Sequence, residues 1–180
     1  MDDIYVGKVL KGDPTAFGYF LTQYKNMAYT IAISILKDEF VAEEVVQDAF
    51  MKAFRNLDNF QRQSKFSTWF YRIVTNESLM RLKILKKDIL DFNPVYEEDI
   101  WDEGIDIDIM AEDRHYLVNE ALNQLPPKES LVLRLFYLEE ERIKAICEIT
   151  GWSEANVKVL LHRARKNMFI ALHQLMKLKT

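Results

Sequence analysis

The chain has 180 residues, 24 of them Lys or Arg and 28 Asp or Glu, for a formal net charge of −4; its hydrophobic fraction of 49%, with 11 Phe, 8 Tyr and 3 Trp, excludes a disordered chain. Five Gly and four Pro argue against a turn-rich β-sandwich, and the single cysteine, Cys147, cannot form an internal disulfide. The acidic start Met1-Asp2-Asp3 lacks the pattern of a secretion signal and no stretch approaches the ~20 apolar residues that span a bilayer, so the expectation is a soluble, cytoplasmic, all-α protein without membrane insertion.

Charge falls in blocks. Residues 1–59 carry −3, residues 60–87 carry +6, residues 88–113 carry −11 with no basic group, residues 114–141 carry −2 and residues 142–180 carry +6. Local potential, rather than net charge, decides what a surface attracts. The segment 88–113 contains Pro94 and Gly104 and shows no helical apolar period, so it reads as an acidic flexible linker. Two small helical domains, 1–87 and 114–180, are expected on either side of it.

In the first lobe, Asp13 before Pro14 is a helix N-cap followed by proline in the first turn. Phe17, Phe20, Leu21 and Tyr24 then mark one helical face, continued by Met27, Ile31 and Ile35 until Lys37-Asp38-Glu39 breaks the run. The next helix has a buried stripe of Val46, Ala49, Phe50, Ala53, Phe54 and Leu57. Glu44, Gln47, Asp48 and Met51 fall on or beside its opposite face; mixed polar groups with one flexible apolar side chain suit protein docking, and equally an ordinary solvated face.

The string Phe60 to Arg72 interleaves five aromatics with three cations, and Ser67 or Thr68 is placed to cap the helix that follows. Trp69, Phe70 and Tyr71 point about 100° apart, so the rings cannot all face one core. Rings beside cations are what an unpaired nucleic-acid strand needs, since bases stack on the former while the latter meet phosphates. The same rings also suit the core of a small bundle. Arg81, Lys83, Lys86 and Lys87 extend the helix as a basic tail fitted to duplex phosphates.

In the second lobe, Leu125-Pro126-Pro127-Lys128 ends one helix and starts another, which runs through Leu131, Leu135 and Leu138. A helix-turn-helix follows, with Gly151 at the turn, the small Cys147 where the helices cross, and Ile146, Trp152, Val157 and Leu160 at the apolar positions. Ser153 caps the second helix. Its buried face is Val157, Leu160, Leu161, Ala164 and Met168, and its outer face carries Asn156, Lys158, His162, Arg163 and Lys166. Such a helix reads the major groove with its first residues and holds phosphates with its cations.

On the strings KGDPTAF (11–17), AEEVVQDAFMKAF (42–54), FSTWFYRIVTNESLMRLK (66–83), ALNQLPPKESLVLRLFYLE (121–139) and ITGWSEANVKVLLHRARKNM (149–168), the chain resembles a bacterial RNA polymerase sigma factor of the extracytoplasmic-function (ECF) group, in the sigma-70 superfamily. The resemblance covers about residues 5–87 and 112–176. It implies that Glu44, Gln47, Asp48 and Met51 dock on the clamp helices of the largest subunit of core RNA polymerase. It implies that Lys65, Phe66, Trp69, Arg72 and Asn76 lie where the family melts and reads the minus-ten element. It assigns Ser153, Asn156, Lys158, His162, Arg163 and Lys166 to the minus-thirty-five element, and the acidic linker to the polymerase cleft. Core RNA polymerase and promoter DNA are the implied partners, and many relatives are also held inactive by an anti-sigma factor. Departures are Glu77 where many relatives have Leu, Met80 where they have Asp, and Val159-Leu160 where they have Ser-Arg.

No phosphate loop, metal-ligand spacing or nucleophile motif is present, so neither an enzyme nor a cofactor is expected. The rival is a stand-alone helix-turn-helix regulator, which has no use for an aromatic-basic strand-opening segment.

Overall fold

The structure is a computed structural model and describes residues 1–87 and 111–177. The acidic linker thus lies outside the described residues except at its end. Eight α-helices are present among the described residues: α1 (Asp2–Leu10), α2 (Gly18–Leu36), α3 (Glu39–Arg55), α4 (Phe66–Lys87), α5 (Ala111–Gln124), α6 (Pro127–Leu133), α7 (Ile143–Thr150) and α8 (Glu154–Lys177). Helix α5 begins at Ala111, three residues before the expected start of the second lobe.

In the first lobe α2, α3 and α4 pack on one another, and α1 lies against a 3₁₀ turn over Pro14–Phe17. Local chemistry sets the breaks. The Asp13 carboxylate accepts from Thr15 N at 3.1 Å with Pro14 in the first turn. Lys37 ends α2 in the left-handed region at φ 60°, and Asp38 caps α3 by accepting from Val41 N at 2.9 Å. Neither Ser67 nor Thr68 is a cap, because α4 already starts at Phe66 and both lie inside its first turn.

The first-lobe core is built of rings. Phe20 and Phe66 have centroids 4.0 Å apart, Phe50 and Phe70 4.4 Å, and all four are buried. Each fully buried Phe contributes roughly 2–3 kcal/mol by removing its surface from water. Two residues of the expected apolar stripes are not in this core: Leu21 is 44% exposed and Phe54 38%. Both line an open groove between α2 and α3 of about 670 Å³, together with Phe17, Gln47 and Met51.

The second lobe packs α6 and α5 against α8, with α7 crossing α8. Pro127 opens α6, which passes into a π-helical turn over Arg134–Leu138, so the run through Leu135 and Leu138 is not one regular helix. Gly151 sits at φ 74°, the left-handed turn conformation the motif requires. Ser153 Oγ accepts from Asn156 N at 3.3 Å and caps α8. Val157, Leu160, Leu161 and Ala164 are buried, while Met168, expected on the same face, is half-buried.

The two lobes touch. Helix α6 packs on α2, α7 packs on α4, and a single cluster of buried apolar residues runs through both.

Candidate functional site

Three surfaces carry the candidate residues. On α3, Ala42, Val45, Val46, Ala49, Phe50 and Ala53 are buried, which leaves Gln47 and Asp48 exposed, Glu44 half-buried and Met51 50% exposed on the outer face. The carboxylates on this face are not free. Arg81 of α4 donates from Nη1 to Glu44 Oε2 at 3.1 Å, and its Nη2 stands 3.5 Å from Asp48 Oδ2. Arg81 is therefore no part of a basic tail for DNA. At 100° per residue it lies about 20° from each of Phe70 and Val74, on the side of α4 that meets α3, and counting the helical phase would have revealed this. A second α3–α4 link joins Lys52 to Glu77, so the carboxylate found where many relatives have Leu serves as an ion-pair partner within the lobe.

Helix α4 sorts the aromatic-basic string in the same way. Lys65, Trp69, Arg72 and Asn76 fall within about 60° of one another around the helix, and Met80 and Lys83 extend the stripe. Lys65, Arg72 and Asn76 are exposed and Trp69 is half-buried. Phe66 lies about 100° away and is only 2% exposed, packed on Phe20, Phe60, Trp69 and Phe70. Its place is in the core, and it presents no ring to a base. Phe70 and Tyr71 are likewise buried. Trp69 stands over Phe60 at 5.2 Å and is the ring of this string that reaches outward along the polar stripe.

Behind this stripe, Tyr24 packs against Phe66, Phe70 and Tyr71, and its hydroxyl donates to Asp2 Oδ2 at 2.7 Å, while Tyr19 donates to Asp2 Oδ1 at 3.0 Å. Burial and then the Asp2 carboxylate hold the Tyr24 hydroxyl well above the ordinary phenol range. Helix α1 is thereby fastened to the lobe by Asp2, a role the sequence reading did not assign.

On α8, Ser153, Asn156, Lys158, His162 and Arg163 are exposed and Lys166 is half-buried. Lys158 pairs with Glu154 at 2.7 Å, whereas no ion pair engages Arg163 or Lys166 among the described residues. Val159 is 53% exposed between Asn156 and Arg163. Arg165, one position further round, donates to the Tyr137 hydroxyl at 2.7 Å. Cys147 is half-buried in α7, and burial pushes its thiol up, which disfavours a nucleophilic thiolate.

These placements coincide with family relationships. Residues 20–87 match the sequence model of sigma-70 region 2, and residues 115–168 that of sigma-70 region 4. The chain is 31% identical over 170 residues to the ECF RNA polymerase sigma factor SigW of Bacillus subtilis, covering 89% of this chain and 91% of that protein. It is 26% identical over 174 residues to the ECF RNA polymerase sigma-E factor of Escherichia coli, covering 92% and 91%. Its fold is similar to that of the sigma factor RpoE solved with the anti-sigma factor NepR from Bartonella quintana, with a TM-score of 0.66 at 22% identity over 87% of this chain and 96% of that one. No helix among the described residues is long and apolar enough to cross a membrane. The chain belongs to the sigma-70 family of RNA polymerase sigma factors, within its ECF group.

Proposed function

We propose that the three surfaces divide the work of promoter-specific transcription initiation: α3 docks on core RNA polymerase, α4 captures the opened minus-ten strand, and α8 grips the minus-thirty-five duplex. The observation that carries this reading is the stripe on α4. It sets a partly exposed indole between cations and Asn76, while the other rings of the same string, Phe60, Phe66, Phe70 and Tyr71, are buried. A stand-alone duplex-binding regulator has no use for that stripe, which offers stacking and phosphate contacts to a single strand.

Each surface contributes binding, and none contributes bond-making. On α3, Glu44 and Asp48 offer carboxylates to a cationic partner helix, with Gln47 and Met51 adding a hydrogen-bonding and an adaptable apolar contact. On α4, Asn76 has the donor and acceptor needed to read the edge of an unpaired base while Lys65 and Arg72 neutralise phosphates. On α8, Asn156 stands at the end of the helix that enters the groove, and Arg163 and Lys166 face the phosphates. Val159 replaces a polar contact with an apolar one, which suits the methyl group of thymine. The protein acts in the cytoplasm, where the polymerase is, and performs no catalysis of its own. An anti-sigma factor is a further partner of the kind seen with the structurally similar RpoE.

The test is transcription from a promoter library with purified core polymerase, with and without the protein. Transcripts that depend on its addition, and whose minus-ten preference changes with Asn76→Ala while core binding is retained, are the expected result. Retardation of duplex DNA by the protein alone, with no response from core enzyme, would hand the function to a stand-alone regulator.

A further inference from the structure

We propose that Arg62 is a phosphate clamp for the opened strand, held ready by Asp3 of α1, whose carboxylate takes the phosphate's place until the strand displaces it. The inference rests on the minus-ten reading above and adds to it the one cation of the aromatic-basic string that the α4 stripe leaves out.

The backbone at Arg62 is unusual for its residue type. Its φ is 57°, in the left-handed region where a Cβ crowds the following carbonyl and glycine fits without cost. Strain of this kind persists where the surroundings impose it, and it gathers at ligand clamps. The loop itself gains little from the arginine side chain. Gln61 and Gln63, on either side of it, bond to one another, Gln63 Nε2 donating to Gln61 Oε1 at 3.1 Å. The ion-pair partner of Arg62 among the described residues is Asp3, with Nε 4.0 Å from Oδ1.

The fold fixes where Asp3 stands. Its neighbour Asp2 accepts from the hydroxyls of Tyr19 and Tyr24 and so fastens α1 to α2. Helix α1 also packs on the 3₁₀ turn over Leu57–Asn59 that leads into the Arg62 loop. No Asp or Glu lies between Phe60 and Asn76, so the carboxylate that meets Arg62 is brought from α1. The Asp3 side chain is 73% exposed and that of Arg62 52%. An exposed pair at the limit of ion-pair distance adds little to stability and exchanges readily. A phosphate offers the guanidinium fork two oxygens as a carboxylate does, so it can replace Asp3 in kind.

Position ties this pair to the stripe. Arg62 precedes Lys65 by three residues, so the two Cα atoms are no more than about 11 Å apart. Phe60, on the other side of Arg62, packs on Trp69 with centroids 5.2 Å apart. The clamp thus stands beside the stacking ring and the first cation of the stripe, at the end where α4 begins. A strand that stacks on Trp69 and meets Lys65 passes Arg62.

The test uses the full-length protein bound to core polymerase and a single-stranded oligonucleotide carrying the minus-ten element, titrated at several salt concentrations. Wild type is compared with Arg62→Gly, Asp3→Asn and the double variant. Glycine takes φ 57° without strain, so Arg62→Gly keeps the loop and the thermal midpoint of the wild type. Strand binding by Arg62→Gly should weaken about fivefold, with a salt slope smaller by about 0.7, one phosphate contact fewer. Asp3→Asn should bind the strand about twofold tighter and lose that advantage in the double variant, because the two residues act as a pair. One neutral methylphosphonate linkage should cost the wild type about fivefold at a single position and cost Arg62→Gly nothing there. Wild-type affinity and slope in Arg62→Gly, where Trp69→Ala weakens binding, overturn the clamp and leave the minus-ten reading standing. Equal tightening by Asp3→Asn with and without Arg62 overturns the placeholder. A core-bound wild type that binds no single strand overturns the minus-ten reading, and the clamp with it.

Discussion

The docking face on α3 and the recognition face on α8 both present charge to a partner, but they hold it differently. Glu44 and Asp48 share Arg81, while Arg163 and Lys166 stand without an ion pair among the described residues. The carboxylates are pre-ordered and partly neutralised, so a partner must compete with Arg81 and approach in one register. The cations are left to the solvent and can meet phosphates in many registers. The contrast fits a protein surface that needs geometry and a nucleic-acid surface that needs charge.

The sharpest way to break this comparison lies beneath the α4 stripe, where a core ring and an outward ring are neighbours. Phe66→Ala removes a buried ring and should destabilise the first lobe by about 3–5 kcal/mol, measured by denaturant unfolding. Trp69→Ala should cost about 1–3 kcal/mol in binding a single-stranded minus-ten oligonucleotide by the polymerase-bound protein, with much less effect on unfolding. Equal losses of stability in the two variants would return Trp69 to the core and empty the stripe of its stacking ring.

On the docking face, Asp48→Arg places a cation beside Arg81 and reverses the charge offered to the polymerase. Core affinity should fall about a hundredfold, or about 3 kcal/mol, with helicity unchanged. A pull-down showing wild-type affinity would remove α3 from the interface. On α8 the effect should be smaller and of another kind. Arg163→Ala should reduce the salt slope of promoter binding by about one, uniformly across promoter sequences. An unaltered slope would mean that this cation meets no phosphate.

Much of this was legible in the sequence because it depends on nearest neighbours along the chain. Asp13-Pro14, Lys37-Asp38, Pro126-Pro127 and Gly151 each impose a local backbone state, and the structure has a break or turn at each. The α3 and α8 stripes follow from one period carried over several turns. What was not legible depends on which helix faces which. Phe66 and Trp69 are both aromatic and three residues apart, and only the direction of the α2–α3 pair makes one core and the other surface. Arg81 lies 33 positions from Asp48; helical phase sets it apart from Lys83, which shares the outer stripe, but only the packing of α3 on α4 shows which carboxylates it meets. The exposure of Leu21 and Phe54 is also tertiary, since each sits at the edge where α2 and α3 diverge into a groove. The hydrogen bond from Lys37 to Leu122 spans 85 positions and two lobes, beyond any pattern in the sequence.

That bond also gives the smallest predicted effect, bounded by one proton per molecule. In the folded chain, burial and then the Arg134 guanidinium pull Lys37 down to about 7; in the unfolded chain it returns to its ordinary value of 10.5. Between these values the unfolded chain binds the proton and the folded chain does not, so unfolding takes up a proton and this contribution to stability grows as pH rises. Below about pH 7 both states are protonated and the dependence vanishes. Stability measured by denaturant unfolding should therefore gain modestly from this group as pH is raised above 7, and Lys37→Met should remove that gain. A wild type and a Lys37→Met variant with the same pH dependence would mean that Lys37 keeps its proton in the folded chain.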